Sequence, residues 1–192
     1  MRCKFFQIFL FVVISASANA QTLKQWVWDE YKLKFKAPED LLLRKNDSTI
    51  YEAGNNNMYL DIYPRRGEEF THDGLKNSLI KWANDEGVAY KAINDGGNQQ
   101  PIFIENLNGF WGCAIDGTKN NLPTTMLLII NPSDPSLSFY VWINYTQEYY
   151  HDALAVLQSF TPIADTGSSE TQTNRTVKPK KKKSTSTTAP IF

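Results

Sequence analysis

The chain has 192 residues, of which 42% are hydrophobic and 21% are charged, as is typical of a globular protein with one substantial core. Its formal net charge is zero, but residues 21–164 contain 12 Lys and Arg against 18 Asp and Glu (−6), whereas residues 165–192 contain six against two (+4). A core that binds nucleic acid presents a basic surface to phosphates. The acidic central segment therefore argues against nucleic acid as a partner.

The first 20 residues have the pattern of a secretory signal peptide. Arg2 and Lys4 precede an apolar segment at 5–14, and the small residues Ala18 and Ala20 suit cleavage before Gln21. The apolar segment is shorter than a helix that spans a bilayer. We expect a mature protein that starts at about Gln21 and is secreted or periplasmic. An uncleaved membrane anchor is the alternative.

Strands dominate the first part of the predicted globular domain, residues 21–164. Tyr, Leu and Phe alternate with Lys near the start, which predicts a half-buried strand over 26–36. Further strands are predicted at 41–44, 49–53 and 58–63, separated by turn-forming Asn, Asp and Gly residues.

Two amphipathic helices are predicted, at 71–85 and 146–160. Thr71 is a suitable N-cap for the first helix, and Gly87 is a suitable C-cap residue. Apolar residues recur at helical spacing and predict the faces that pack on the core: Leu75, Leu79, Trp82 and Ala83 in the first helix, and Tyr150, Ala153, Leu154 and Leu157 in the second.

The segment between the helices predicts more strands. A short strand is expected at 88–93, a flexible loop at 94–101, and two strands at 102–107 and 110–117, joined by an Asn-Gly turn. A hairpin at 122–145 follows, and it is the most apolar part of the chain.

The hairpin predicts how the layers are arranged. Residues 126–130 are apolar at five successive positions, and residues 139–143 nearly so. A strand with one wet face would alternate, so we expect both faces of this hairpin to be covered. The predicted fold is α+β: an antiparallel meander sheet of about six to eight strands between two amphipathic helices.

Residues 26–162 resemble the α/β/α-sandwich family that includes the photosystem protein PsbP and the Ran-binding protein Mog1. The resemblance rests on Tyr31-Lys-Leu-Lys-Phe-Lys-Ala-Pro38, on the strand at 58–63 followed by the helix at Thr71, and on Ala153-Leu-Ala-Val-Leu-Gln-Ser-Phe160. It implies a three-layer fold that mostly serves as a binding or accessory module. No catalytic residue is carried over by these motifs.

No catalytic or metal-binding pattern is evident. Cys113 shares a strand face with apolar residues, so we expect a buried and unreactive thiol. Cys3 belongs to the signal segment, so the mature domain has no internal disulfide. His72 and His151 lack the spacing of metal ligands. We therefore expect no enzymatic activity and no cofactor.

The remaining candidates for partner contact are aromatic or basic. Trp26 and Trp28 precede the first strand and would form a contact patch if exposed; the alternative is that they pack over an end of the sheet. Residues 165–192 predict a disordered tail rich in Lys, Ser and Thr. Its basic residues could contact anionic surfaces weakly: Lys178, Lys180, Lys181, Lys182 and Lys183.

The sequence thus predicts an exported, monomeric, non-enzymatic binding or accessory module whose partner is an unknown protein or envelope component. One alternative is a carrier of a small ligand or lipid with a pocket between a helix and the sheet. Another is a hydrolase whose catalytic residues converge only in space. Since the hairpin is scaffold, we expect any site at the rim: beside Trp26 and Trp28, at the 94–101 loop, or at the turn of residues 131–135.

Overall fold

The computed structural model describes residues 22–163. The predicted signal peptide and the predicted tail, with its lysines at 178 and 180–183, lie outside the described residues. The described elements follow one another in this order: β1 Leu23–Trp28, β2 Leu33–Pro38, β3 Leu42–Asp47, β4 Ile50–Gly54, β5 Met58–Arg66, α1 His72–Asp85, β6 Ala89–Tyr90, β7 Ile102–Leu107, β8 Phe110–Lys119, β9 Leu122–Asn131, β10 Asp134–Tyr145, α2 Tyr150–Gln158 and β11 Thr161–Pro162.

The main sheet has eight antiparallel strands in the order β3-β4-β5-β10-β9-β8-β6, with β7 also paired to the outer edge of β8. Two runs of consecutive strands, β3 to β5 and β8 to β10, meet where β5 pairs with β10. The predicted α+β class, an antiparallel sheet flanked by two helices, is confirmed.

A second sheet, of three strands, is a feature that the sequence analysis missed. The single strand predicted over 26–36 is two strands, because a 3-10 turn at Asp29–Tyr31 separates β1 from β2 and Lys32 adopts a left-handed conformation with φ 50°. β1 and β2 pair with each other, and β11 joins β2. This small sheet packs on one face of the main sheet.

Helix α1 forms as predicted. The Thr71 side chain accepts a hydrogen bond from the backbone N–H of Gly74 at 3.1 Å, so it caps the helix start. Gly87 follows the helix end with φ +68°, as expected of a residue that reverses the chain there. The second helix is shorter than predicted, because residues 147–149 form a 3-10 turn before α2.

The central hairpin, β9 with β10, is covered on both faces as predicted. Seven successive residues of β9, from 124 to 130, are buried. One face packs against α1 through Leu75, Leu79 and Ala83. The other face packs against the small sheet together with α2, in a core that contains the stacked rings of Phe35 and Phe160 at 5.3 Å. The second cover is therefore a sheet plus a helix.

Candidate functional site

A pocket lies between helix α2 and the main sheet, and it exists because α2 sits off centre. The helix packs mainly on β2 and also on β10. Strands β7 and β8 extend beyond it on the same side of the sheet, and the segment 89–100 closes the far rim. The space between these elements is open to solvent on one side and has a volume of about 850 Å³.

Aliphatic side chains form most of the pocket wall. Three strands and the helix contribute them: Ile102, Ile104 and Leu107 from β7, Ala114 from β8, Leu127 from β9, and Leu154 and Leu157 from α2. Tyr145 and Tyr150 add aromatic surface, with ring centroids 6.1 Å apart. A wall of this composition favours an apolar ligand.

The helix α2 contributes to the pocket with side chains that were predicted to enter the core. Ala153 is buried as expected, but Tyr150 remains 43% exposed and Leu154 remains 37% exposed. Val156 takes part in the core instead. The apolar stripe of α2 is thus divided between the core and the pocket, because the helix leans toward β2.

The 94–101 loop, predicted to be flexible, is fixed at its base by Gln100. The Gln100 amide donates to the carbonyl oxygens of Lys91 and Asp116 at 3.0 and 2.9 Å, and it accepts from the backbone N–H of Asp116 at 2.6 Å. The loop also closes on itself, since the N–H of Asn94 donates to the Asn98 carbonyl at 2.9 Å. The pocket rim is therefore held in place against β8.

The end of the pocket near β6 and the loop is polar. The Thr125 hydroxyl donates to Oδ1 of Asp116 at 2.8 Å. Burial raises the pKa of the neighbouring Tyr145, and its hydrogen bond with Thr125 opposes that shift. Lys91 and Asp95 form an exposed ion pair at 2.5 Å. The pocket thus has a long apolar wall and one polar end.

A second cleft, of about 760 Å³, lies on the opposite face beside α1. The Trp82 ring packs against Tyr140 at 5.2 Å and Tyr63 at 6.3 Å. Three of the four acidic side chains there already have partners within the chain: Asp85 pairs with Lys81 and Glu86 with Lys119, and Glu68 accepts from the Tyr140 hydroxyl. Its wall is far more polar and its rings contact one another, so it is a weaker ligand site.

The two tryptophans singled out in the sequence do not form one exposed patch. Trp28 is 6% exposed and packs against Tyr31 and Tyr51. Trp26 is half-buried, with its ring centroid 5.7 Å from that of Tyr51, and Lys24 lies over its ring. The predicted contact patch required both tryptophans to be exposed, and Trp28 is buried.

The three candidate reactive residues are one buried thiol and two imidazoles on different helices. Cys113 is fully buried, and burial raises the pKa of its thiol to about 12. His72 is the first residue of α1 and packs on Phe103, with ring centroids 4.3 Å apart, whereas His151 is on α2 across the sheet. Neither histidine lines either cleft.

Two features are absent from the described residues. No cluster of three or more His, Cys, Asp or Glu side chains within 22–163 could hold a metal ion. No helix in the same range has the length and apolar character needed to cross a membrane.

The fold and the pocket together define an antiparallel α+β sandwich with a cavity beneath one helix. Among solved structures, the chain is similar to the Ran-binding protein Mog1p of Saccharomyces cerevisiae, with 8% identity, 75% of this chain and 97% of that chain covered, and a TM-score of 0.47. A crystal structure from Bacteroides thetaiotaomicron VPI-5482 matches with 10% identity over 74% of this chain and a TM-score of 0.45. Mog1p is one of the two proteins named above for the family that the sequence resembles.

The chain spans about half of the Bacteroides protein, 49% of its length. No known protein family matches the sequence, and no curated protein does either.

Proposed function

We propose that this protein is an exported, non-enzymatic binding protein that holds one small, mainly apolar molecule in the pocket between α2 and the sheet. The observation that carries the proposal is the pocket itself. Its volume of about 850 Å³ lies within the range of about 300–1,000 Å³ in which small-molecule sites fall. Its wall is mostly aliphatic and aromatic, with a few polar groups gathered at one end.

The exposed part of α2 supports the same proposal. Tyr150 and Leu154 present apolar surface to water although they belong to the apolar stripe of the helix. A ligand in the pocket would remove that surface from water, which contributes about 25 cal/mol per Å². At about 0.3 kcal/mol per non-hydrogen atom, a ligand with about 24 such atoms binds with about 7 kcal/mol, a micromolar affinity.

Titration with Nile red, a neutral apolar dye of about this size, tests the proposal. We expect saturable one-to-one binding with increased dye fluorescence. Leu154→Arg places a charge on the pocket wall and should weaken binding at least tenfold. Leu42→Arg is the matched control, because Leu42 is 71% exposed on β3 and lies outside the pocket. Absence of saturable binding, or equal binding by both variants, would contradict the proposal.

The non-enzymatic part of the proposal has its own measurement. Both clefts lack a cysteine or histidine in their walls, so a bound ligand should be recovered chemically unchanged. Mass spectrometry of a ligand extracted after prolonged incubation checks this. A product that accumulates with time and depends on the protein would show that it is an enzyme.

Export rests on the sequence of the first 20 residues. If the full sequence is produced in a bacterium with an envelope, the mature protein should begin at about Gln21, and its intact mass should show this. A protein that retains Met1 would contradict cleavage.

Weak contact of the lysines at 178 and 180–183 with anionic surfaces predicts salt-sensitive cosedimentation with anionic vesicles but not with neutral ones.

A further inference from the structure

The polar end of the α2 pocket indicates which head group a ligand carries, whereas the pocket volume indicates only its size. The Gln100 amide, which lines this end, is fully engaged: both its donors and its acceptor bind backbone groups. The Thr125 hydroxyl hydrogen is donated to Asp116. The Asp116 carboxylate at this end is exposed, and it can still accept a hydrogen bond from a ligand.

The charge at this end is negative. The charged side chains that line the pocket are Lys91, Asp95 and Asp116. Lys91 is held by Asp95 in an ion pair at 2.5 Å. Asp116 has no ion-pair partner in any pair found between residues 22 and 163. A ligand carboxylate placed here would face an uncompensated negative charge, whereas a protonated amine would face a matched one.

We propose that the pocket selects an apolar molecule with a protonated amine head and discriminates against the same molecule with a carboxylate head. This inference rests on the proposed function, because it concerns the same pocket. The amine donates to the Asp116 carboxylate, and the hydrocarbon lies along the wall formed by β7 and α2. A hydroxyl head, which donates but carries no charge, binds with intermediate strength.

Displacement of Nile red by decylamine, decanol and decanoate at pH 7.5 tests the inference, because these competitors share one alkyl chain. We expect half-displacement by decylamine at a concentration at least tenfold below that of decanoate, with decanol between them. Asp116→Asn should reduce the difference to less than threefold, since the amide still accepts from Thr125 but carries no charge. Lys91→Gln should increase it, because it frees the charge of Asp95.

Asp29→Asn controls for general attraction of amines to an acidic domain, since it removes one exposed negative charge that does not line the pocket. It should leave the preference for decylamine unchanged. If Nile red does not bind at all, the proposed function fails. If Nile red binds but decanoate displaces it as well as decylamine does, or if Asp116→Asn keeps the full preference, the head-group inference fails and the pocket assignment stands.

Discussion

Replacing Asp61 with Asn should make this protein more stable at neutral pH. Asp61 lies on β5 and is 7% exposed. Its Oδ2 accepts from the Tyr63 hydroxyl at 3.1 Å, but its Oδ1 has no hydrogen-bond partner within the described part of the chain. Glu52 stands directly opposite on β4 and adds a second carboxylate. An ionised Asp61 in this position is poorly solvated and incompletely paired.

The size of the effect follows from the pKa. Burial raises the pKa of Asp61 from 3.8 to about 6; Glu52 acts in the same direction, and the hydrogen bond from Tyr63 opposes it. One pKa unit corresponds to about 1.4 kcal/mol, so ionisation of Asp61 costs the folded state about 3 kcal/mol above pH 6. The favourable contribution of protonation is complete below pH 3.8 and is lost as the pH rises through about 6.

Urea unfolding, followed by the fluorescence of the five tryptophans, measures this at two pH values. At pH 7.5, Asp61→Asn should be more stable than the wild type by up to about 3 kcal/mol, because the amide still accepts from Tyr63 and bears no charge. At pH 4.5 the difference should shrink by about 2 kcal/mol, since wild-type Asp61 is then mostly protonated when folded.

Asp29→Asn serves as the control for the Asp61 measurement, because it makes the same chemical change at an exposed site. It should change the free energy of unfolding by less than about 0.5 kcal/mol at either pH. A variant Asp61→Asn that is no more stable than the wild type at pH 7.5, or whose advantage is the same at both pH values, would refute the reasoning.

Three further predictions concern the scaffold. Cys113 is buried and its pKa is raised to about 12. A disulfide reagent should therefore react with Cys113 in the folded protein at a hundredth or less of its rate in the urea-unfolded protein. Comparable rates in the two states would contradict the burial of Cys113. Gly112→Ala should lower the free energy of unfolding by at least about 2 kcal/mol, since a Cβ there would lie 2.2 Å from the Leu128 carbonyl oxygen; an unchanged urea midpoint would show that the strands move apart freely. Asn108 has a left-handed backbone with φ 52°, and its amide donates to two carbonyls at the end of α2 at 2.7 and 3.0 Å. Asn108→Gly should therefore lower the free energy of unfolding by about 1–2 kcal/mol, and Asn108→Ala should lower it more. The reverse order would be inconsistent with this geometry.

The layers of the fold were predictable because a strand that is buried on both faces is apolar at successive positions and not at alternate ones. Residues 126–130 are apolar without alternation, and they lie within the buried run of β9. The helix at 71–85 was equally readable from its cap and its spacing. In both cases the local pattern and the tertiary environment agree.

The small sheet could not be predicted, because the turn that creates it has a weak sequence signal: Asp29 is its one turn-forming residue. Asp29–Tyr31 contains no Gly, Pro or Asn, and the left-handed position is filled by Lys32. The alternation of lysine with apolar residues begins at Tyr31, the last residue of this turn, and the apolar residues at 26–28 just before the turn suggested that the same strand started earlier. Tertiary packing of Tyr31 and Trp28 on the main sheet decides the chain reversal.

The pocket was anticipated only in part. The 94–101 loop was named as one of three possible places for a site at the rim of the fold, and residues of this loop line the pocket. Leu154 and Tyr150 were assigned to the core, because an apolar stripe looks the same whether it meets a sheet or a cavity. The lateral position of α2, which decides between the two, depends on its contacts with β2 and has no local signal. Asp116 gave no signal either, since it is a single carboxylate on a strand.

Methyl NMR of the purified chain titrated with Nile red can show whether the α2 pocket holds an apolar ligand. We expect shifts in the methyl signals of Ile104, Leu127 and Leu154, which line the pocket. The methyl signals of Leu75 and Leu79, buried beneath α1 on the opposite face, should not move. Shifts confined to the α1 face, or no saturable shifts at all, would contradict ligand binding in the α2 pocket.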